Sequence, residues 1–157
     1  MGGIALEDII VRYIRTSCGR DQQVKVPEYA TAGSAGMDLS ACITEELTIK
    51  PGEIVKVNTG IAIQIPHSGI GSFVFPRSGL SSKHGISLAN CVGVIDSDYT
   101  GEIICPVINH SSKEYTIKPG DRIAQIVFMP VLQVRMQETD RLEDTDRGSG
   151  GFGSTAV

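Results

Sequence analysis

Short apolar runs alternate with polar positions along most of the chain. Because the side chains of a strand point alternately to opposite faces of a sheet, this spacing predicts half-buried β-strands, and continuous Ile- and Val-rich runs predict fully buried ones. Turn residues interrupt the runs about every 8 to 12 positions, as is typical of an all-β sandwich or jelly roll. We expect strands in IIVRYI (9–14), MDLSACI (37–43), EIVKV (53–57), GIAIQI (60–65), GSFVF (71–75), EIICPVI (102–108), EYTIK (114–118) and RIAQIVFMPVLQV (122–134).

Signals for other local structure are few. One short helix is expected at RSGLSSKHG (77–85), where a serine can cap one or two turns and Gly85 can end them. TIKPGE (48–53) recurs as TIKPGD (116–121). In both, Pro-Gly fits the central positions of a type II turn, because proline presets φ and glycine accepts a positive φ. We interpret the recurrence as two hairpins that use the same turn sequence, since a repeat that occurs only twice does not indicate a solenoid.

Length and charge narrow the function classes. The chain has 157 residues, enough for one domain with its own core, and a formal net charge of −4. It has no Lys/Arg-rich run, so we expect no nucleic-acid partner. It has no signal peptide and no apolar stretch of membrane-spanning length, so we expect a cytoplasmic protein with no membrane partner. An anionic ligand would need locally placed arginines or a metal.

The four cysteines show no motif. Cys18, Cys42, Cys91 and Cys105 form no C-x-x-C pair and have no histidine cluster nearby. This spacing predicts neither a zinc site nor a redox motif. We expect four reduced, buried cysteines that pack as small apolar residues.

Five glycine-flanked polar clusters interrupt the predicted strands. They are AGMDLSA (35–41), PRSGLSSKHG (76–85), NCVGVIDSDYTGEI (90–103), GDRIAQIVF (120–128) and RGSGGFGST (147–155). Taken singly, each has a structural interpretation, such as a turn aspartate, an Asp121–Arg122 ion pair or a disordered glycine-rich tail. The charged segment 138–146 has no apolar periodicity and is expected to be a solvated connector.

Taken together, the five clusters resemble the motifs of the trimeric dUTPases, which occur here as AGMDLSA, PRSGL, GVIDSDYTG, GDRIAQ and RGSGGFGST, over roughly residues 24 to 155. The resemblance implies a homotrimer of distorted jelly-roll (β-clip) subunits, with the fold in 1–137. It implies a flexible arm, 138–157, that closes over a neighbouring subunit's active site. It also implies magnesium-dependent hydrolysis of dUTP to dUMP and pyrophosphate, which lowers dUTP and supplies dUMP for thymidylate synthesis.

The same resemblance assigns catalytic roles to three residues. Asp96 corresponds to the carboxylate that orients and deprotonates the water attacking the α-phosphorus, a task that suits aspartate because it is ionised at pH 7. Gln125 corresponds to a glutamine that bonds phosphate oxygens or metal-bound water. Asp38 corresponds to an aspartate that supports Arg77 and the water shell of Mg²⁺. The metal is then held by the triphosphate and water, with no direct protein ligand.

Substrate contacts follow in the same way. Tyr99 would pack under the deoxyribose and leave no room for a 2′-hydroxyl, because an apolar pocket alone rejects an added hydroxyl only about 100-fold. Uracil would be read on a β-hairpin, and the phosphates by a neighbouring subunit and the arm. The implied contacts are Asn90 and the backbone of Val94, Ile95 and Ile104 for uracil; Arg77, Ser78 and Gly79 for the α- and β-phosphates; Phe152 stacked on uracil; Arg147 at the γ-phosphate; and Gly153, Ser154 and Thr155 at the β- and γ-phosphates.

Three other functions compete with this interpretation. A dCTP deaminase, with or without triphosphatase activity, shares the fold but lacks the tyrosine arrangement and uses a glutamate for deamination. A nucleotide-sensing regulatory protein would usually carry an inserted segment, for which the leader MGGIALEDI and a polar loop at 18–23 are candidates. A structural β domain with a loose tail would have no affinity for nucleotides.

Overall fold

The structure is a computed structural model that describes residues 9–151. Its strands are β1 (Arg12–Arg15), β2 (Met37–Ser40), β3 (Leu47–Ile49), β4 (Ile54–Gln64), β5 (Ile70–Pro76), β6 (Ile86–Leu88), β7 (Gly93–Ile95), β8 (Glu102–Asn109), β9 (Tyr115–Ile117) and β10 (Arg122–Pro130). Its helices are α1 (Ser17–Asp21) and α2 (Ser78–His84). No helix within 9–151 is long and apolar enough to cross a membrane.

Two four-stranded sheets enclose the core. The first sheet has the order β1-β4-β8-β6 and the second has the order β2-β10-β5-β7, with every neighbouring pair antiparallel. A third sheet consists of β3 and β9 alone. Burial alternates along β8, where Ile103, Cys105 and Val107 belong to the same buried core as Leu39 and Ile126 of the second sheet. The predicted all-β jelly roll is confirmed.

The strands differ from the sequence prediction in three ways. EIVKV and GIAIQI belong to one strand, β4, which is interrupted by a shift of register between Asn58 and Ala62. The three-residue strands β3, β6 and β7 were not predicted, whereas β9, of the same length, lies within the predicted EYTIK. β10 ends at Pro130, so the predicted extension to 134 is wrong.

Two helices are present within residues 9–151, where one was expected. The predicted polar loop at 18–23 instead contains α1, whose N-cap Thr16 accepts a hydrogen bond from the Gly19 amide. α2 lies where predicted, and Gly85 ends it in the left-handed conformation with φ 68°. The expected serine cap is wrong, because the N-cap is Arg77 and it makes no side-chain capping bond.

Both Pro-Gly turns form as predicted. Gly52 and Gly120 have φ of 76° and 81°, and in each turn the amide of the fourth residue bonds the carbonyl of the first, at 3.0 Å. The acid at the fourth position, Glu53 or Asp121, accepts in return from the amide of the first, at 2.8 Å. The turns are not hairpins, because they carry the chain from the paired β3 and β9 into different sheets.

The cysteine prediction is wrong for three of the four residues. Cys18 and Cys42 form a disulfide that joins α1 to the segment after β2, with Cα atoms 6.4 Å apart. Cys91 is exposed, and Cys105 is the buried free thiol that we expected. Beside the disulfide, a Cβ on Gly19 would lie 2.1 Å from the Gly60 carbonyl oxygen, so only glycine permits this approach of α1 to β4.

The disulfide predicts a redox-dependent stability. Because it closes a loop of sequence separation 24, its reduction should cost about 3 kcal/mol and lower the melting temperature by several degrees. Protein unfolded in an alkylating reagent without reductant should yield a linked Cys18–Cys42 peptide by mass spectrometry. The C18S/C42S double variant is the control and should melt lower, with no further response to reductant. Complete alkylation of both thiols before reduction would contradict the bond.

Candidate active site

Three adjacent strands of the second sheet bring distant polar residues to one end. Asp38 on β2 is the register partner of Gln125 on β10, and Arg77 follows the end of β5 on the other side of β10. Asp38 Oδ1 accepts from Arg77 Nε at 2.7 Å, and its Oδ2 accepts from Arg122 Nη1 at 2.9 Å. We call Asp38, Arg77, Arg122 and Gln125 the arginine cluster.

Further hydrogen bonds hold the arginine cluster, and two of its side chains are partly shielded from solvent. Arg77 also donates to the Arg122 carbonyl at 3.3 Å, and Gln125 Nε2 donates to the Pro76 carbonyl at 3.1 Å. The Asp38 and Arg77 side chains are 29% and 26% exposed, so their pairing is only partly screened by water. Two guanidinium groups against one carboxylate leave local positive charge, which suits an anionic ligand.

Gly36 gives Gln125 its space. A Cβ at this position would lie 2.9 Å from Gln125 Oε1 and 3.2 Å from a methyl carbon of Val127. The glycine of the AGMDLSA segment therefore serves packing around the cluster in addition to any turn.

Close by, burial and the Asp121 carboxylate raise the pKa of Tyr115 against the opposing charge of Arg77, so the Tyr115 phenol stays neutral at pH 7.

A cavity of about 230 Å³ lies between β7 and β8. These strands are consecutive, but β7 pairs with β5 in the second sheet while β8 pairs with β4 and β6 in the first. The predicted uracil-reading hairpin is therefore wrong as a paired ladder: the two strands separate and the gap is the cavity. The lining residues are Val74, Leu88, Asn90, Gly93, Val94, Ile95, Asp96, Tyr99, Glu102, Ile103, Ile104, Cys105 and Pro106.

Backbone groups of both strands face this cavity. The Ile103 carbonyl accepts from Thr59 on the β4 side, whereas the Glu102 carbonyl accepts from the Tyr99 hydroxyl. Because successive peptide groups of a strand point to opposite sides, those of Ile104 point away from β4 and towards the cavity. β7 is the last strand of its sheet, so one side of its backbone also has no strand partner.

The segment between the two strands places an acid and a ring at the cavity. Asp96 directly follows β7, and its carbonyl accepts from the Tyr99 amide at 3.1 Å. The Tyr99 ring packs over Gly101, where a Cβ would lie 2.5 Å from the hydroxyl oxygen.

Burial raises the pKa of Cys105 to about 12, so this thiol is neutral and unreactive at pH 7.

The structure divides the predicted site residues into two groups. Asn90, Val94, Ile95, Asp96, Tyr99 and Ile104 all line the cavity. Asp38, Arg77 and Gln125 lie in the arginine cluster and line no part of it, and Ser78 and Gly79 follow Arg77 as the first residues of α2. Arg122 and Glu102 were missed. The only signal for Arg122 was its neighbour Asp121, but that carboxylate bonds the Lys118 amide instead.

The C-terminal segment is only partly described. From 131 to 151 there is neither helix nor strand, and the exposed Arg147 donates from Nε to the Gly150 carbonyl at 2.9 Å. Phe152, Gly153, Ser154 and Thr155 lie outside the described residues. The boundary at 137/138 between domain and arm stays a prediction.

The fold defines a jelly-roll protein with a cavity between two of its strands and a charged cluster at the end of one sheet. A family model described as dUTPase matches residues 22–156. The chain is 56% identical over 147 residues to the deoxyuridine 5′-triphosphate nucleotidohydrolase of Desulfitobacterium hafniense strain Y51, covering 94% of this chain and 95% of that protein. It is 52% identical over 132 residues to the enzyme of the same name from Idiomarina loihiensis, covering 84% and 87%. The chain belongs to the dUTPase family.

Solved structures share the fold at lower identity. The dUTPase of Staphylococcus bacteriophage 80alpha, solved with dUPNHPP and described as controlling transfer of virulence genes, superposes with a TM-score of 0.82 at 24% identity, over 94% of this chain and 99% of that one. A dUTPase from phage phi11 of S. aureus, described with a structural Mg(II) ion, gives 0.75 at 22% identity, over 86% and 99%. These likenesses show the fold.

Proposed function

We propose that this chain is a dUTP diphosphatase that hydrolyses dUTP to dUMP and pyrophosphate with magnesium, lowering dUTP and supplying dUMP for thymidylate synthesis. The observation that carries the proposal is the cavity between β7 and β8, where Asp96, Tyr99 and the Ile104 backbone meet in a chain of the dUTPase family. The cavity is smaller than the roughly 300 to 1,000 Å³ of drug-sized pockets, as suits one pyrimidine ring and its sugar.

Base selection rests on backbone polarity. In this proposal Asn90 and the peptide groups of Val94, Ile95 and Ile104 bond the edge of uracil. A peptide N–H cannot become an acceptor, so the pattern that fits uracil leaves cytosine with unpaired polar groups. Thymine is excluded because its methyl group overfills a closely packed cavity, at a cost of about 1 to 3 kcal/mol.

Phosphate chemistry needs positioned charge more than covalent participation. Asp96 accepts a proton from water as the water oxygen bonds the α-phosphorus and the bond to the bridging oxygen breaks, releasing pyrophosphate. Arg77, with Ser78 and Gly79, and Gln125 bind phosphate oxygens. Because none of them lines the cavity of its own chain, we propose that they serve a neighbouring subunit's substrate.

The residues fit a magnesium ion that enters on the triphosphate. Among residues 9–151 no three His, Cys, Asp or Glu side chains form a metal-sized group, and each Asp38 oxygen already accepts from an arginine. Mg²⁺ in such enzymes is commonly held by substrate phosphates and water, with few carboxylates. We therefore place Asp38 at the water shell. When bound, the ion neutralises phosphate charge.

A homotrimer would cover two exposed apolar rows. Ile10 precedes the edge strand β1 and Ile14 lies within it, and they are 72% and 64% exposed. Leu132, Val134 and Met136 alternate after β10 and are 90%, 77% and 89% exposed. Contiguous apolar surface and a free strand edge are typical of protein interfaces. We propose that residues 131–137 pack on another copy of the chain, which would carry the arm, 138–157, to that copy's cavity.

The competing functions find less support. A deaminase would need a glutamate at the cavity, and Glu102 lines it. Its carboxylate, however, already accepts a hydrogen bond from the Gly60 amide at 2.7 Å. The leader proposed as a regulatory insertion lies mostly outside the described residues, and the loop proposed as the other is α1.

We propose a cytoplasmic location from the nature of the substrate. The Cys18–Cys42 disulfide is the feature against it, because disulfides are rare in reducing compartments.

The activity predicts a substrate preference and a dependence on Asp96. Purified protein with Mg²⁺ should release pyrophosphate from dUTP far faster than from dCTP, dTTP or UTP. D96N should lower kcat about 100-fold or more, since it removes the general base while keeping the shape. D98N is the matched control, because Asp98 does not line the cavity. A lack of dUTP preference, ammonia release from dCTP, or full turnover by D96N would each contradict the mechanism.

The arm predicts a separable contribution. Deletion of residues 147–157 should remove most activity, because Arg147 and the residues after it no longer close over the nucleotide. Size-exclusion chromatography should show unchanged assembly, and deletion of 156–157 alone should be silent. A protein lacking 147–157 that turns over dUTP normally would rule out the arm's role.

The apolar row predicts the assembly. Light scattering should give about three times the 16.7 kDa chain mass. L132K/V134K should shift the mass downwards and lower activity, because it buries two charges in the interface. L142K tests an equally exposed leucine beyond the row and should leave the trimer intact. A monomeric wild-type protein with full activity would contradict the shared site.

A further inference from the structure

Glu102 opens β8 at the rim of the cavity, but its carboxylate turns away from it. The side chain is half-buried, and Oε1 accepts from the Gly60 amide of β4 at 2.7 Å. This bond crosses the place where the β4–β8 ladder is interrupted, between the partners Asn58–Ile104 and Ala62–Glu102. A bulge leaves backbone groups without ladder partners, and the Glu102 carboxylate satisfies one of them.

Gly60 is a fixed anchor for that carboxylate. Its φ of 71° is a conformation that favours glycine, and its carbonyl accepts from the Thr16 amide at 2.9 Å. A Cβ here would lie 2.7 Å from the Gly19 Cα and 3.0 Å from the Cys42 sulfur. The bulge is therefore clamped between the start of β8 and α1, next to the disulfide.

The other end of Glu102 holds Tyr99. The Tyr99 hydroxyl donates to the Glu102 carbonyl at 2.9 Å, while the ring rests on Gly101. Two hydrogen bonds thus connect the ring to the β4 bulge, one through the backbone of Glu102 and one through its side chain. Tyr99 is 45% exposed, so packing alone does not fix it.

We infer that Glu102 is a positioning residue that sets the preference for deoxyribose over ribose. The inference rests on the proposed function, in which the Tyr99 ring occupies the space of a 2′-hydroxyl. Exclusion of one hydroxyl by contact requires a ring that cannot retreat, because a looser pocket admits the extra atom. Glu102 itself touches no nucleotide; it acts through Tyr99.

The test is the ratio of kcat/KM for dUTP to that for UTP. E102A should lower this ratio about fivefold, mainly through faster use of UTP, because the start of β8 and the Tyr99 ring lose their anchor. E102Q keeps an acceptor oxygen for the Gly60 amide and should stay within about twofold of wild type. Y99F removes only the hydroxyl bonded to Glu102 and should shift the ratio in the same direction as E102A.

A structural role alone would lower both kcat/KM values together and leave the ratio unchanged. E45A, which removes an exposed carboxylate outside the cavity and the arginine cluster, controls for net charge. A wild-type ratio in folded E102A, an equal loss in E102Q, or an unchanged ratio in Y99F would overturn the inference. Y99F decides the matter if E102A does not fold. A wild-type protein that does not prefer dUTP would instead overturn the proposed function.

Discussion

Between Ile95 and Glu102 the chain leaves one sheet and enters the other, and both flanking strands remain bonded to their own sheets. The cavity between β7 and β8, and with it the proposed recognition of the base, depends on this crossing. β7 is bonded to β5 and β8 is bonded to β4 and β6, and the two strands are not paired with each other. The space that they leave is the cavity, and the backbone groups that face it, such as those of Ile104, are available to a ligand. The recognition surface is thus a by-product of satisfied hydrogen bonding elsewhere.

Charge is organised on a similar principle at the other group of residues. A chain of net charge −4 repels a polyphosphate as a whole, and so positive charge must be concentrated locally. Asp38 does this by holding two guanidinium groups in fixed directions. The carboxylate cancels one positive charge. It also restricts the conformations of the two arginine side chains before a ligand binds, so less conformational entropy is lost on binding and the remaining donors are already oriented.

Period-two alternation and turn chemistry were enough to predict where the long strands and the two Pro-Gly turns lie, because these depend on local geometry, although not that β4 is one strand or where β10 ends. The arginine cluster could not be derived that way, since Asp38 and Arg122 lie 84 residues apart and meet only through sheet pairing. The Cys18–Cys42 bond was missed for the same reason, since neither cysteine sits in a motif. Resemblance to family motifs identified the cavity residues, but Glu102 escaped because its role is defined by a bulge in a different strand.

The two Pro-Gly turns carry one more implication. β3 and β9 pair through the partners Thr48 and Thr116, whose hydroxyls bond each other at 2.9 Å. The same turn then leads from β3 into β4 and from β9 into β10, and each of these is the second strand of its four-stranded sheet. A local rotation axis therefore passes between the two threonines and exchanges the two turns. The molecule therefore contains two copies of this strand-and-turn unit, and a substitution in one turn can be compared with the same substitution in the other. Effects of turn chemistry can then be separated from effects of the sheet that each turn feeds.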